Sequence, residues 1–471
     1  MYKKSVIAIL VFALLFITGS SIPIEGISEP AFAAGSSQDF TRLGGKDRFE
    51  TNAAIVDNGW QHADTIVVVR GTGKDKFADA MASTILAYQY DAPILLVDQN
   101  TIPQPIKDTI TKLQPSKAFI IGGPTVVSDG IEQTLKNDDI VVERIYGQDR
   151  RETAIKIGDK MRGKTAFDTV IIATGRDFPD ALSAAPFSAM YNIPILFVTN
   201  KPTEFFLDEL NKKALIDWGI KKAIIVGGPS VVSTTIEDDI KYVGTNGLET
   251  IRLSGLTRYE TSLEIVKHFD KGDYQGITVA TGKDFADLLA GAVFAAKNKT
   301  PIILADDKQN LYDTVEYLIG NNFTKRYVLG GEGIMPITLL DKLFSGSNSM
   351  PEPEKPTFEE SISIAAASNF VEDGQDRLLV TLRWLDLPNA VAYNTLLSYD
   401  DLTIEDSNPY IQKIVVKKNS DGTVDGGSII DGYFYRVPIA FYRGYVMWVK
   451  IEAVDSNGNV IDSGIIKVDA R

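Results

Sequence analysis

The stretch Arg42–Thr51 reads RLGGKDRFET, and it is written again as RIYGQDRRET from Arg144 and as RLSGLTRYET from Arg252. A phrase that recurs at a spacing of about one hundred residues is the mark of a repeat architecture. Three more motifs follow each copy in the same order. TGKDKFADA from Thr72 matches TGRDFPDAL from Thr174 and TGKDFADLL from Thr281, with one additional residue in the first. APILLVD from Ala92 matches IPILFVT from Ile193 and TPIILAD from Thr300. IIGGPTVVS from Ile120 matches IVGGPSVVS from Ile225 and VLGGEGIMP from Val328. Four motifs in one order, three times over, specify a triplicated domain.

Inside each copy short Val/Ile/Leu runs alternate with helical segments. In the first, TIVVV, PILLV, KAFIIGG and IVVERIYG read as strands, and FADAMASTILAYQY, IPQPIKDTITKLQ and SDGIEQTLK as helices. Continuous apolar strands separated by helices predict a parallel sheet covered on both faces. The expected organisation is a signal peptide over 1–33, repeats over 34–139, 140–248 and 249–344, a Ser/Pro/Glu-rich linker over 345–357 and a β-sandwich over 358–471.

The phrase itself divides into two parts. Gly45, Gly147 and Gly255 suit a strand-to-helix turn. Asp47, Asp149 and Thr257 are good N-caps, and Glu50, Glu152 and Glu260 stand three residues on, as in a capping box that returns a carboxylate to the cap amide. Phe49, Ala53 and Val56 fall on one helical face, as do Tyr259, Leu263 and Val266. The arginines are not explained this way. Arg48, Arg150 and Arg258 occupy the first helical position, where a cation opposes the helix dipole at a cost of about 0.3–1 kcal/mol. Arg42, Arg144 and Arg252 stand six residues earlier, at a strand end. Two readings remain open: each Arg pairs with a carboxylate across a repeat boundary, or it adds to an anion site at a helix N-terminus.

Composition narrows the function. The formal charge of −14 opposes binding to nucleic acid. The absence of cysteine removes disulfides, thiolate metal sites, cysteine nucleophiles and a lipobox. His62 and His268 fall at non-equivalent places, which speaks against a Ser-His-Asp or zinc-histidine centre. A carboxylate-only site as in glycosidases stays open. The TGxD turns lack the GK[ST] of a P-loop, and GGP is not a dinucleotide fingerprint. DSNGN, Asp455–Asn459, is acidic but not specific for calcium. No cofactor, metal site or catalytic residue is expected.

Lys3 and Lys4 precede an apolar run, Val6–Ile17, that is short for a membrane span, and Ala31 and Ala33 are small residues at −3 and −1. This predicts a secretory signal peptide cleaved after Ala33 rather than an uncleaved anchor. No other stretch is apolar enough to cross a membrane, and the C-terminus, GIIKVDAR, has no sorting motif. The mature chain is therefore expected to be held at a surface non-covalently.

Taken together, the four motifs over Phe40–Phe344 strongly resemble the type 2 cell wall binding repeat of Gram-positive surface proteins, which occurs as three tandem copies. The resemblance implies an α/β, Toprim-like or Rossmann-like fold per repeat, a pseudo-trimeric arrangement, and attachment to an anionic wall polysaccharide or teichoic-acid-like polymer. The magnesium-binding acids of Toprim enzymes are missing from TIVVVRGTG and FIIGGP, so the resemblance carries shape and not nuclease chemistry. Pro194–Phe197, Pro301–Leu304 and the GGE of the third copy depart slightly from the family's PILL and GGP, which implies weaker binding by that copy. In the tail, Trp384, Tyr393 and the surroundings of Ile451 resemble a fibronectin type III domain. The expected protein is secreted and wall-bound. Its tail is displayed for adhesion, spacing or contact with a protein partner, and Arg42, Arg48, Arg144, Arg150, Arg252 and Arg258 are the candidate contacts to the polymer. The alternatives are a wall hydrolase with a carboxylate-based C-terminal domain and a surface-layer subunit.

Overall fold

The structure, a computed structural model, describes residues 40–344 apart from 74–76, 200–205, 230, 245–246, 256, 273, 310 and 322. In the tail it describes residues 363–372, 375–385, 390, 392–398, 412–417, 428–430, 434–442 and 446–469. The expected signal peptide and linker lie outside these residues.

Three four-stranded parallel sheets are present, as the apolar runs predict. The first has the order Ile94–Val97, Thr65–Arg70, Lys117–Ile121, Val141–Ile145. The second is Ile195–Val198, Thr169–Thr174, Lys222–Val226, Glu249–Leu253. The third is Ile302–Ala305, Gly276–Thr281, Lys325–Leu329, Thr41–Leu43. The inner strands are buried along nearly their whole length, because helices cover both faces.

The last strand of each sheet is the one that opens the next phrase. Val141–Ile145 completes the first sheet and leads into the second phrase; Glu249–Leu253 does the same for the second sheet and third phrase. The third sheet is completed by Thr41–Leu43, from the start of the described chain. The register repeats: Arg144 lies opposite Ile120, Arg252 opposite Ile225 and Arg42 opposite Val328. Each repeat lends a strand backwards, and the first strand closes the ring.

The phrase helices reinforce the exchange. Arg48–Gly59 packs on Ala286–Asn298, Arg150–Arg162 on Thr84–Gln89, and Arg258–Phe269 on Pro179–Tyr191. The three helices they meet also pack on one another and form the centre of the ring. Their sequences suit that place: Ala181, Ala184, Ala185, Ala290, Gly291, Ala292 and Ala295 keep the side chains small where backbones approach, and the helices are apolar all round. Gly291 is needed for its size, since a Cβ there would stand 2.2 Å from Leu329 Cδ1.

The first central helix departs from expectation. In the second and third copies it is a continuous 13-residue helix. In the first, a 3₁₀ turn over Ala80–Ala82 precedes a short helix, Thr84–Gln89. The cause is a longer approach. Gly71, not Gly73, follows the strand as Gly175 and Gly282 do in the other copies, so the first turn carries three more residues before its Phe. Matching letters had aligned TGKD of the first copy with TGRD of the second; the strands align it differently.

The tail forms two antiparallel four-stranded sheets. One has the order Ser363–Glu372, Gln375–Leu385, Phe434–Tyr442, Ser428–Ile430, and the other Gln412–Lys417, Ala392–Ser398, Val446–Val454, Val460–Asp469. They meet through Trp384 and Tyr393, both fully buried, whose rings lie edge to face with centroids 5.6 Å apart. DSNGN is the hairpin turn before the last strand: Asp455 accepts hydrogen bonds from the amides of Asn457 (2.9 Å) and Asn459 (2.8 Å), which accounts for its acid as turn chemistry.

The strand that closes the ring is three residues long, and its Leu43 is buried at 3% exposure and accepts from the Gly330 amide at 2.8 Å. Leu43→Ala should destabilise the repeats by about 2–5 kcal/mol. The exchange of the Lys325–Leu329 amides, followed by mass spectrometry, should accelerate before that of the other two equivalent strands. Uniform acceleration in all three sheets would show that closure is not a local joint.

Candidate functional site

The turn that opens each phrase is built the same way three times. Asp47 accepts from the amides of Phe49 (2.8 Å) and Glu50 (2.9 Å), Asp149 from Arg151 (2.8 Å) and Glu152 (3.2 Å), and Thr257 from Glu260 (3.3 Å). The returning carboxylate reaches one residue beyond the cap. Glu50 accepts from the Lys46 amide at 2.9 Å and Glu152 from the Gln148 amide at 2.6 Å, in place of the cap amide expected from a capping box. The Thr that ends each phrase also has work: Thr51, Thr153 and Thr261 accept from the amides of Gly45, Gly147 and Gly255 at 2.9–3.0 Å. These glycines are required by closeness, since a Cβ at any of them would lie 2.2–2.3 Å from the Cβ of the phrase Glu. The buried face of the first phrase helix is Thr51, Asn52, Ile55 and Val56; Phe49 and Ala53 are only partly covered, because the helix is turned to bring Asn52 onto the strand Ile94–Val97. There Asn52 donates to the Ile94 carbonyl and accepts from the Leu96 amide, both at 2.8 Å.

The arginines separate into two sets. Arg42, Arg144 and Arg252 clamp the GG turn of the preceding repeat. They donate to the carbonyls of Gly330 (3.1 Å), Gly122 (2.9 Å) and Gly227 (2.7 Å). Those glycines have φ of 104°, 109° and 102°, a left-handed backbone that favours glycine. Arg144 also donates to the Val127 carbonyl (2.7 Å) and pairs with Glu132 (2.8 Å), with its side chain only 9% exposed. Arg252 pairs with Glu237 at 2.7 Å. Burial lowers the pKa of Arg42 and Arg252, and the nearby Glu332 and Glu237 push back.

Arg48, Arg150 and Arg258 run instead to the mouth of the sheets. They donate to the carbonyls of Gly71 (2.6 Å), Gly175 and Gly282 (2.7 Å), directly after the first strand of their own repeat. Two then cross a repeat boundary: Arg48 pairs with Asp284 at 3.1 Å and Arg258 with Asp177 at 3.2 Å. The acid of the first copy's motif, Asp75, lies outside the described residues. Each of these two guanidiniums also lies over a ring of the neighbouring repeat, Arg48 over Phe285 at 5.6 Å and Arg258 over Phe178 at 5.8 Å. Phe77, Phe178 and Phe285, one from each repeat, touch one another with centroids 4.5–6.3 Å apart. The three rings mark the pseudo-threefold axis. The pairing across repeats and the part-exposed fork, 31% for Arg48 and 37% for Arg258, are both present in one geometry.

Sequence reasoning passed over two letters of the second motif. The Phe that follows TGxD, and the Asp two residues after it, recur in all three copies as Phe77/Asp79, Phe178/Asp180 and Phe285/Asp287. Their recurrence was the available signal. Asp180 and Asp287 lie against Gly227 and Gly330 of the GG turns, where a Cβ would stand 2.6 Å and 2.9 Å from the carboxylate. Among the described residues neither carboxylate accepts a hydrogen bond. Burial, helped by Asp177 and Asp284, raises both to about 6, against the pull of Arg258 and Arg48. His62, for its part, does have an acidic neighbour, Asp64 at 2.9 Å, on the exposed surface.

A carboxylate whose pKa is raised on folding stabilises the fold most below its unfolded pKa, and that contribution is lost as pH rises through the folded value. Asp180 and Asp287 therefore cost stability as pH passes from about 4 to above about 6. Asp180→Asn/Asp287→Asn should raise Tm by a few degrees at pH 7, and the difference from the unsubstituted chain should vanish near pH 4. His268, lowered by burial, acts in the opposite sense as pH rises, but it is common to both proteins and cancels in the comparison.

Comparison with known proteins agrees with this architecture. The family model described as "Cell wall binding domain 2 (CWB2)" matches residues 42–132, 144–237 and 252–339. N-acetylmuramoyl-L-alanine amidase LytC of Bacillus subtilis (strain 168) is 29% identical over 290 residues, 62% of this chain and 55% of the amidase. The amidase enhancer of the same organism is 31% identical over 263 residues, 56% of this chain and 34% of that protein. Among solved structures, Cwp6 from Clostridium difficile matches with a TM-score of 0.57 and 28% identity, over 65% of this chain and 47% of that one. Cwp8 from the same organism gives the same score and identity over 52% of its length. The chain thus spans about half the length of these relatives, or less. The chain belongs to the cell wall binding domain 2 family, with three copies of the domain in tandem.

Proposed function

We propose that this chain is a secreted surface protein held non-covalently on the anionic polymer of a Gram-positive cell wall, where it displays its C-terminal sandwich for adhesion, spacing or protein contact. The observation that carries the reading is the set of Arg48, Arg150 and Arg258 at the strand ends, where each donates to the carbonyl that follows a first strand and Arg48 and Arg258 lie over Phe285 and Phe178. The side chains of Arg48 and Arg258 stay 31% and 37% exposed beside a helix N-terminus, a geometry suited to phosphate or carboxylate, and Arg150 holds the same helical position. Arg42, Arg144 and Arg252 act at one remove, holding the turns against which the site is built. The strand order of the tail sheets supports a fibronectin-like display domain. The likeness to an amidase is read as shared repeats, not shared catalysis, since the matched family model covers the repeats alone.

The full chain should sediment with walls that retain their anionic polymer and stay in solution with walls stripped of it. Binding should weaken steadily with salt, because the contacts are between charges at a wet surface. Binding that survives stripping would overturn the polymer reading, and release of cleaved wall fragments would overturn the non-enzymatic one.

A further inference from the structure

The three copies share their joints but not their outer grooves. Beside the second phrase lies an open cleft of about 650 Å³ lined by Glu143, Tyr146, Glu152, Lys156 and Lys160, with Arg144 in its wall. That volume is in the usual range for small-molecule sites, about 300–1,000 Å³. Its distinguishing side chains belong to this copy. Tyr146 stands where the other phrases have Gly44 and Ser254; Lys156 where they have Ala54 and Glu264; Lys160 where they have Asn58 and His268.

The groove is shaped and charged in a particular way. Tyr146 is 45% exposed, and one ring edge rests on Gly123, where a Cβ would stand 3.1 Å from the ring. Lys156 is held across the turn by the Tyr146 carbonyl (2.9 Å) and by Glu152 (3.1 Å). Lys160 and Lys117 share one carboxylate, Glu143, at 2.5 and 3.0 Å. Burial pushes Glu143 up, but the two lysines outweigh it and hold it ionised below its ordinary value. One carboxylate between two ammonium groups leaves a positive charge uncompensated beside an exposed ring.

We propose that this groove is a saccharide site that the other two copies lack, taking one acidic sugar unit of the polymer. An exposed Tyr face is apolar enough to stack on the C–H face of a pyranose, and its partners must then satisfy hydroxyls. Glu143 and Glu152 accept from hydroxyls, while Lys156 and Lys160 donate to them and to the sugar's acid group. This rests on the wall-polymer reading and adds a location and a sugar chemistry to it.

The test writes the third copy's groove into the second: Tyr146→Ser/Lys156→Glu/Lys160→His, residues that the equivalent strand end and helix already carry in a folded repeat. In the full chain this variant should keep its Tm and bind polymer-bearing walls about tenfold more weakly or worse. In the unsubstituted chain, polymer extracted from those walls should slow reductive methylation of Lys156 and Lys160, with exposed Lys213 and Lys221 as references. A variant that binds undiminished, with Lys156 and Lys160 unprotected, overturns the site and leaves the polymer reading intact. Failure of the unsubstituted chain to distinguish intact from stripped walls overturns both.

Discussion

Each repeat's own three strands would leave a row of backbone groups uncovered on one side, and here the neighbour's strand pairs with that row. Each sheet takes its fourth strand from the next phrase, and each phrase helix lies on the central helix of the repeat before it. An open array of repeats would leave one sheet short and one strand over. Joining those two ends through Thr41–Leu43 and Lys325–Leu329 makes the array a closed ring, in which no boundary is terminal. Many other features follow from this exchange. The central helices are small-residued because three of them meet, and the phenylalanines touch because the ring has an axis.

Arginine suits both sides of this joint for one reason. At the carboxyl ends of parallel strands the carbonyls of the turns face outward, and a guanidinium has enough donors to serve a carbonyl and a carboxylate at once. Arg252 does so with Gly227 and Glu237, and Arg258 with Gly282 and Asp177. The unfavourable position of Arg258 at a helix start, about 0.3–1 kcal/mol, is offset by those bonds and by the Phe178 ring beneath it. Lysine gathers its donors on one atom and lacks the planar fork that spreads them over two well-separated partners. The nearby Asp180 and Asp287 show the other side of this economy: placed against GG turns where, among the described residues, nothing donates to them, they are held toward the neutral form by burial.

Much of this was legible in the residues and some was not. Apolar runs gave the strands, and the spaced cap, Glu and Gly gave the turn, because those signals are local. The direction of the strand exchange was not legible, since nothing in RLGGKDRFET says which sheet its first letters join. The register of the first TGKD was misread for a physical reason: strands align by where they end, and Gly71, not Gly73, follows the strand. Of the two readings of the arginines, pairing across repeats is present at Arg48 and Arg258. The deeper set, Arg42, Arg144 and Arg252, could not have been told apart from the first by sequence, because burial at the GG turn is a tertiary property. The recurrent Phe and Asp after TGxD were visible but mute, as their meaning depends on an axis that only three copies together create.

A ring built from three like joints need not present three like surfaces, because the constraint acts only on the joints. Gly45, Gly147 and Gly255 have no room for a side chain, and the six arginines that recur in all three phrases are engaged with backbone. Positions on the outer side of the phrase helices, such as Ala54, Lys156 and Glu264, or Asn58, Lys160 and His268, carry no such duty and have diverged in size and charge. Repetition therefore sets the scaffold while leaving each groove free to take its own chemistry. A long polymer with a repeating unit does not need three identical grips. It needs one groove that recognises the unit and a rigid frame that brings further charged surface alongside it, since each added contact then acts at the high effective concentration of a tethered partner.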